Sequence, residues 1–121
     1  MKTPFFAPRA RLDIAEILDW TLCEFGPKAA RRYSLLLETA LADLAENPER
    51  LGVVRRPEIS KECGTYHLFH SRKKAARAGR KVRDPRHFLV FRVSTDETLE
   101  IVRVLHDAMD LGEHLPSDLR S

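Results

Sequence analysis

Apolar positions in the first fifty residues repeat with the period of a helix. Ile14, Ile17, Leu18, Leu22 and Phe25 follow i, i+3, i+4, i+8 and i+11, with Asp13, Glu16 and Asp19 on other faces. This spacing predicts an amphipathic helix starting near Ala10. Phe25-Gly26-Pro27 ends it, since Gly26 suits the position just past a helix and Pro27 the first turn of the next. Tyr33, Leu36, Leu37, Ala40, Leu41, Leu44 and Ala45 then form one continuous stripe, and Asn47-Pro48 closes it. Two helices joined by so short a turn should form an antiparallel hairpin. Trp20 lies off the first stripe, where it either widens the core face or marks a surface for a partner.

After residue 48 the period changes. Residues 48–63, with Pro48, Gly52 and Pro57, read as loop. TYHLFHS (65–71) has strand composition, and HFLVFRV (87–93) and TLEIVRVLH (98–106) are two strong strands with STDE between them at hairpin length. Strict alternation would put Leu99, Ile101, Arg103 and Leu105 on one face of the last strand and Glu100, Val102, Val104 and His106 on the other. Arg103 then projects from a mostly apolar strand, so it requires a partner or borders a groove. At the other end, TPFFAPR has prolines on both sides and suits a short edge strand. The order β-α-α-β-β-β predicts an α+β fold in one domain, 1–121: a short N-terminal strand and a helical hairpin on a small antiparallel sheet. The opposite sheet face should be partly open and is where function would be sought.

The 121 residues are 43% hydrophobic, enough for a core and too many for a disordered chain. Cys23 and Cys63 are too few for a disulfide framework and fit no CxxC motif, so they read as reduced core or near-core residues. No stretch resembles a signal peptide or a membrane span, which predicts a cytoplasmic protein without membrane contact. The net charge is only +3, but residues 72–86, RKKAARAGRKVRDPR, hold eight Lys/Arg and one Asp. The rest of the chain is mildly acidic. Arg72, Lys73, Lys74, Arg77, Arg80, Lys81, Arg83 and Arg86 therefore concentrate a positive potential that attracts phosphates or acidic protein surfaces. No aromatic is interleaved within the run, so stacking on bases is poorly supported.

RVLHDAMDLGEHLP (103–116) holds metal-ligand residue types. In a helix His106, Asp110 and His114 would share one face. All candidates lie on one short tail, however, and Gly112 interrupts that helix, whereas a structural metal usually draws ligands from at least two elements. The tail 107–121 reads instead as a packed end to the last strand. His106 would hydrogen-bond the sheet, Met109 fill a gap, and Leu111 and Leu115 pack back on the body.

The stretches DIAEILDWTLCEFGPKAARRYSLLLETALADLAENP and HFLVFRVSTDETLEIVRVLHDAMDLGEHLP together resemble the RelE/ParE superfamily of toxins, the ParE-like branch above all. The likeness covers most of residues 8–116, and the EIVRVLH…M…HLP end is its specific part. The resemblance implies a type II toxin–antitoxin toxin that inhibits growth, needs no cofactor or metal, and is neutralised by a cognate antitoxin. DNA gyrase is the leading target. The alternatives it leaves are a RelE-like ribosome-dependent mRNA endoribonuclease and a non-toxic antitoxin-binding relic. The long basic connection departs from the tight hairpin usual in ParE-like chains and could touch RNA, gyrase-bound DNA or an acidic antitoxin segment. Under this resemblance Arg103, His106, Asp107, Met109 and Asp110 are candidates for target contact. Trp20, Phe25, Tyr33 and Leu37 are candidates for antitoxin contact, since aromatics dominate interface energetics. A nuclease would instead draw base, acid and cation from Arg92, Arg103, His106 and His87.

Overall fold

The computed structural model describes residues 3–77, 81–94, 98–109 and 111–115. Strand β1 (Thr3–Phe6) leads into helix α1 (Pro8–Phe25), then α2 (Pro27–Glu46), β2 (Val53–Arg55), β3 (Cys63–His67), a 3-10 turn at Leu68–Ser71, α3 (Arg72–Ala76), β4 (His87–Val93), β5 (Thr98–His106) and a last 3-10 turn at Leu111–Glu113. The sheet order is β1-β5-β4-β3-β2. β1 is an edge strand and runs parallel to β5, Phe6 opposite Ile101, while the other neighbours are antiparallel. The fold is α+β, as the element order implies, but the sheet is mixed.

The helix boundaries follow local chemistry. Pro8 and Pro27 open α1 and α2, where a missing N–H leaves nothing unpaired. Gly26 takes φ 92°, a conformation an L side chain rarely adopts, and its N–H bonds Leu22 O. The α2 stripe forms the main core with Tyr66, Leu89, Phe91, Leu99, Ile101 and Val104 from the sheet.

A β-bulge at Val102 breaks the expected alternation along β5. Phe91 pairs Ile101 but Val90 pairs Arg103, so Val102 has no opposite residue. Leu99, Ile101 and Val104 consequently join the helix-side core, while Val102 and Leu105 join a second cluster with Ile59, Cys63, Val90 and Leu115. The sheet face away from the helices is thus covered by Ile59 from the 56–62 connection and by Leu111 and Leu115 from the tail. It is not the open face the sequence suggests. Cys63 is buried, whereas Cys23 is exposed on α1 rather than near the core. Two elements lie where loop was expected: β2, and α3 at the head of the basic run. The strand expected over 65–71 ends at His67, and Leu68–Ser71 forms the 3-10 turn. Among the described residues, no helix is long and apolar enough to cross a membrane.

Candidate functional site

β1 stops pairing at Phe6, which leaves the later half of β5 as an exposed sheet edge. Helix α1 crosses that edge, and Asp13 satisfies it. Asp13 Oδ2 accepts the Val104 N–H at 2.9 Å and Arg103 Nε–H at 2.7 Å, and Oδ1 accepts from NH2 of the same guanidinium at 3.0 Å. Arg103 also donates to His114 O at 2.6 Å, tying the tail to the body. Both side chains are buried, Asp13 at 4% and Arg103 at 9% exposure. The partner that Arg103 required is therefore an acid 90 positions away, on what the helical period assigned to an outer face.

Beside this pair, α1, the start of α2, residues 81–87 and the end of β5 enclose a groove of about 620 Å³. Its lining is mainly apolar, with Ile17, Trp20, Phe25, Ala29, Val82 and Met109 among the contributors. Trp20 and Phe25 are 57% and 66% exposed and meet edge-to-face, their centroids 5.5 Å apart.

A polar network closes one end. The Arg86 N–H donates to Tyr33 Oη at 3.2 Å, and Tyr33 in turn lies 2.6 Å from His87 Nδ1. The Tyr33 hydroxyl donates to or accepts from His87 Nδ1 according to the ring's tautomer. Burial pushes the Tyr33 pKa up to about 12 despite the Arg86 amide, with Asp107 adding to the rise. Burial, and then the neighbouring His106, hold His87 down to about 4, so it is neutral at physiological pH. The His87 and His106 rings meet edge-to-face at 5.3 Å. His106 Nδ1 accepts the Ala108 N–H at 3.1 Å, which leaves Nε2 as the remaining ring nitrogen. Asp107 receives Arg86 on Oδ1, at 3.1 Å from Nε and 2.9 Å from NH2, and His67 Nε2 at 3.1 Å on Oδ2. Burial acts to raise the Asp107 pKa, but the His67 and Arg86 hydrogen bonds outweigh it and hold the carboxyl below its ordinary value.

The groove unites residues drawn from two separate expectations. Trp20, Phe25 and Tyr33, proposed for an antitoxin, line it together with Arg103, His106 and Met109, proposed for a target. Leu37 does not take part, being buried in the main core at 3% exposure. Met109 fills no gap but is exposed on the groove wall. Asp107 is outside the lining and acts as a brace between β3, β5 and Arg86. Arg92 is elsewhere, paired to Glu100 on the neighbouring strand. From the basic run, Lys81 and Arg86 line the groove, while Arg72, Lys73, Lys74, Arg77 and Arg83 do not. Arg80 and Asp110 lie outside the described residues. Strand β5 runs to His106, a turn follows over 107–109 and Leu111–Glu113 is a 3-10 turn, so among the described residues no helix aligns His106 with His114. Among the described residues no three His, Cys, Asp or Glu side chains are placed to share a metal ion. Arg9, Asp13, Arg32 and Val82 were not legible as site residues. Their only signal is proximity in the fold, apart from the polar position of Asp13 inside a helix that must cover a sheet.

Residues 5–111 match the family described as the ParE toxin of the type II toxin–antitoxin system parDE. The chain is also 30% identical over 109 residues to Toxin ParE1 of Mycobacterium tuberculosis, in strains CDC 1551 / Oshkosh and ATCC 25618 / H37Rv alike. The alignment spans 90% of this chain and 93% of that protein.

Proposed function

Because the chain belongs to the ParE toxin family of type II toxin–antitoxin systems, we propose that it arrests growth by binding a cellular target, with DNA gyrase the leading candidate, and that a cognate antitoxin neutralises it. The observation that supports binding over RNA cleavage is the commitment of the side chains a nuclease would draw on, and of Arg86 beside them. Phosphoryl chemistry needs free cations and an acid/base pair around one point. Arg103 is held by Asp13, Arg92 by Glu100 and Arg86 by Asp107, and His87 is neutral under the Tyr33 hydroxyl. His106 has its Nδ1 taken by the Ala108 N–H, with Asp107 3.7 Å from the same nitrogen.

The groove in turn suits a protein segment. Trp20 and Phe25 offer an exposed aromatic pair at an apolar surface, the kind of anchor that carries interface energy. An amphipathic segment of the antitoxin laid along α1 would cover both aromatics and reach Met109 and His106. The protein would then act in the cytoplasm, where such a target and antitoxin meet. The test is inducible expression in a bacterial host. Growth arrest with broken DNA and an intact mRNA pool, relieved by co-expressing the antitoxin encoded next to it, is expected. Arrest accompanied by cleaved mRNA and intact DNA would replace this reading with the ribonuclease one. Normal growth with the antitoxin still bound would mark a non-toxic relic.

A further inference from the structure

The basic run begins on a rigid platform. Leu68, Ser71 and Ala75 are buried beneath it. Ser71 Oγ donates to Asp43 Oδ2 at 2.6 Å and lies 2.8 Å from Tyr66 Oη. Asp43, 1% exposed, also accepts from Lys74 Nζ at 2.8 Å and has Arg50 3.4 Å from the same oxygen. Burial acts to raise the Asp43 pKa, but the Lys74 and Ser71 hydrogen bonds and the Arg50 charge bring it below its ordinary value, so a buried anion holds α3 in place. Two further cations of this helix end face solvent. Lys73 and Arg77 are exposed and one turn apart. Arg72 is half-buried, donates to Phe69 O at 3.4 Å and lies with its guanidinium 3.7 Å from the centre of the Phe69 ring. Among the described residues none of these three has a carboxylate in ion-pair range, and none lines the groove.

We propose that Arg72, Lys73 and Arg77 form a second binding surface, which contacts the phosphate backbone of duplex DNA without reading its sequence. Duplex DNA carries one negative charge per ~1.7 Å of axis, and binding releases condensed counterions for each phosphate neutralised. Cations on an anchored helix, with no carboxylate paired to them among the described residues, suit that ligand because the backbone that carries them needs no ordering before contact. Single strands fit less well. They are held by free aromatic faces, and the one exposed aromatic here, Phe69, has Arg72 over its face and His70 edge-on at 5.7 Å. A specific protein partner fits less well too, since α3 offers charge but no apolar anchor. The surface is independent of the target proposed above, so failure of either leaves the other standing.

The test is fluorescence anisotropy of the purified full chain with a labelled 25-base-pair duplex, a single strand of the same length and a poly-glutamate peptide. Three phosphate contacts give a log–log salt slope of about −2.7, so affinity for the duplex should fall about 40-fold between 50 and 200 mM salt. R72Q/K73Q/R77Q should abolish that slope and weaken duplex binding at least ten-fold at 50 mM salt. R11Q/K28Q/R31Q removes the same charge from exposed positions on α1 and α2 and should stay within about two-fold of the parent. Circular dichroism on both variants confirms that they fold. Equal loss in both triple variants, no loss in the first, or tighter binding of the single strand or poly-glutamate than of the duplex would each overturn the proposal.

Discussion

Replacing Asp13 by alanine should be the most damaging single change at the groove, and its size can be worked from the contacts. The carboxylate neutralises Arg103, which is 9% exposed, and accepts the Val104 amide at the sheet edge. Removing one partner of a buried ion pair costs about 3–5 kcal/mol, because the other charge stays buried without its counterion. Arg103 keeps its bond to His114 O, which favours the lower half of that range. A chain of 121 residues unfolds with an entropy near 2.1 cal/mol/K per residue, so 3–4 kcal/mol corresponds to a fall in Tm of roughly 12–16 °C. The double variant D13L/R103M removes both charges and should recover part of this. It still leaves the Val104 N–H without its acceptor, so about 1–3 kcal/mol of the loss should remain. Urea unfolding followed by circular dichroism at 222 nm reads both quantities. The reasoning fails if D13A lies within 1 kcal/mol of the parent, or if the double variant is no more stable than the single one.

Other consequences are smaller but as definite. The His87 imidazole has a folded pKa of about 4, below the ordinary 6.5 of the unfolded chain, so the unfolded state binds more protons between those values. Stability should fall as pH drops from about 6.5 towards 4, and the H87Q variant should show a shallower fall in pH-dependent urea titrations; parallel profiles would contradict the assignment. Tyr33→Phe strips the acceptor from the Arg86 N–H and the hydrogen-bond partner from His87, and should cost about 1–3 kcal/mol in the same unfolding assay. Trp20→Ala removes a side chain that is 57% exposed, so it should change stability by less than about 1 kcal/mol while weakening antitoxin binding at least ten-fold by calorimetry. An unchanged affinity would remove Trp20 from the interface.

Much of the framework is legible in the sequence because local signals agree with the fold. Phe25-Gly26-Pro27 marks the hairpin corner, the Tyr33–Ala45 stripe marks the core helix, and two dense apolar runs mark β4 and β5. The need of Arg103 for a partner also follows from the cost of burying its charge. Its identity does not, since Asp13 looks like any polar position in an amphipathic helix. It is buried only because β1 is too short to cover β5, and that depends on a parallel pairing between strands more than ninety positions apart. The bulge at Val102 is equally silent, because both alternations of β5 are mostly apolar and neither register is excluded by hydrophobicity. β2 is three residues long and set among Gly52, Arg56 and Pro57, too short for any period. α3 consists almost wholly of Lys, Arg and Ala, and its buried side rests on Ala75 and on the hydroxyl of Ser71 rather than on large apolar groups. The groove was hidden for a related reason. It forms where α1, residues 81–87 and the end of β5 meet, so no contiguous stretch of sequence encodes it.

Gyrase supercoiling and ribosome-dependent mRNA cleavage, measured side by side on the same purified protein with and without its antitoxin, test the central claim most directly. A binding toxin should halt supercoiling and trap cleaved DNA, leave mRNA intact, and lose both effects when the antitoxin is added. Cut mRNA with gyrase untouched would contradict the account and make His106, Arg103 and Arg92 the first residues to replace.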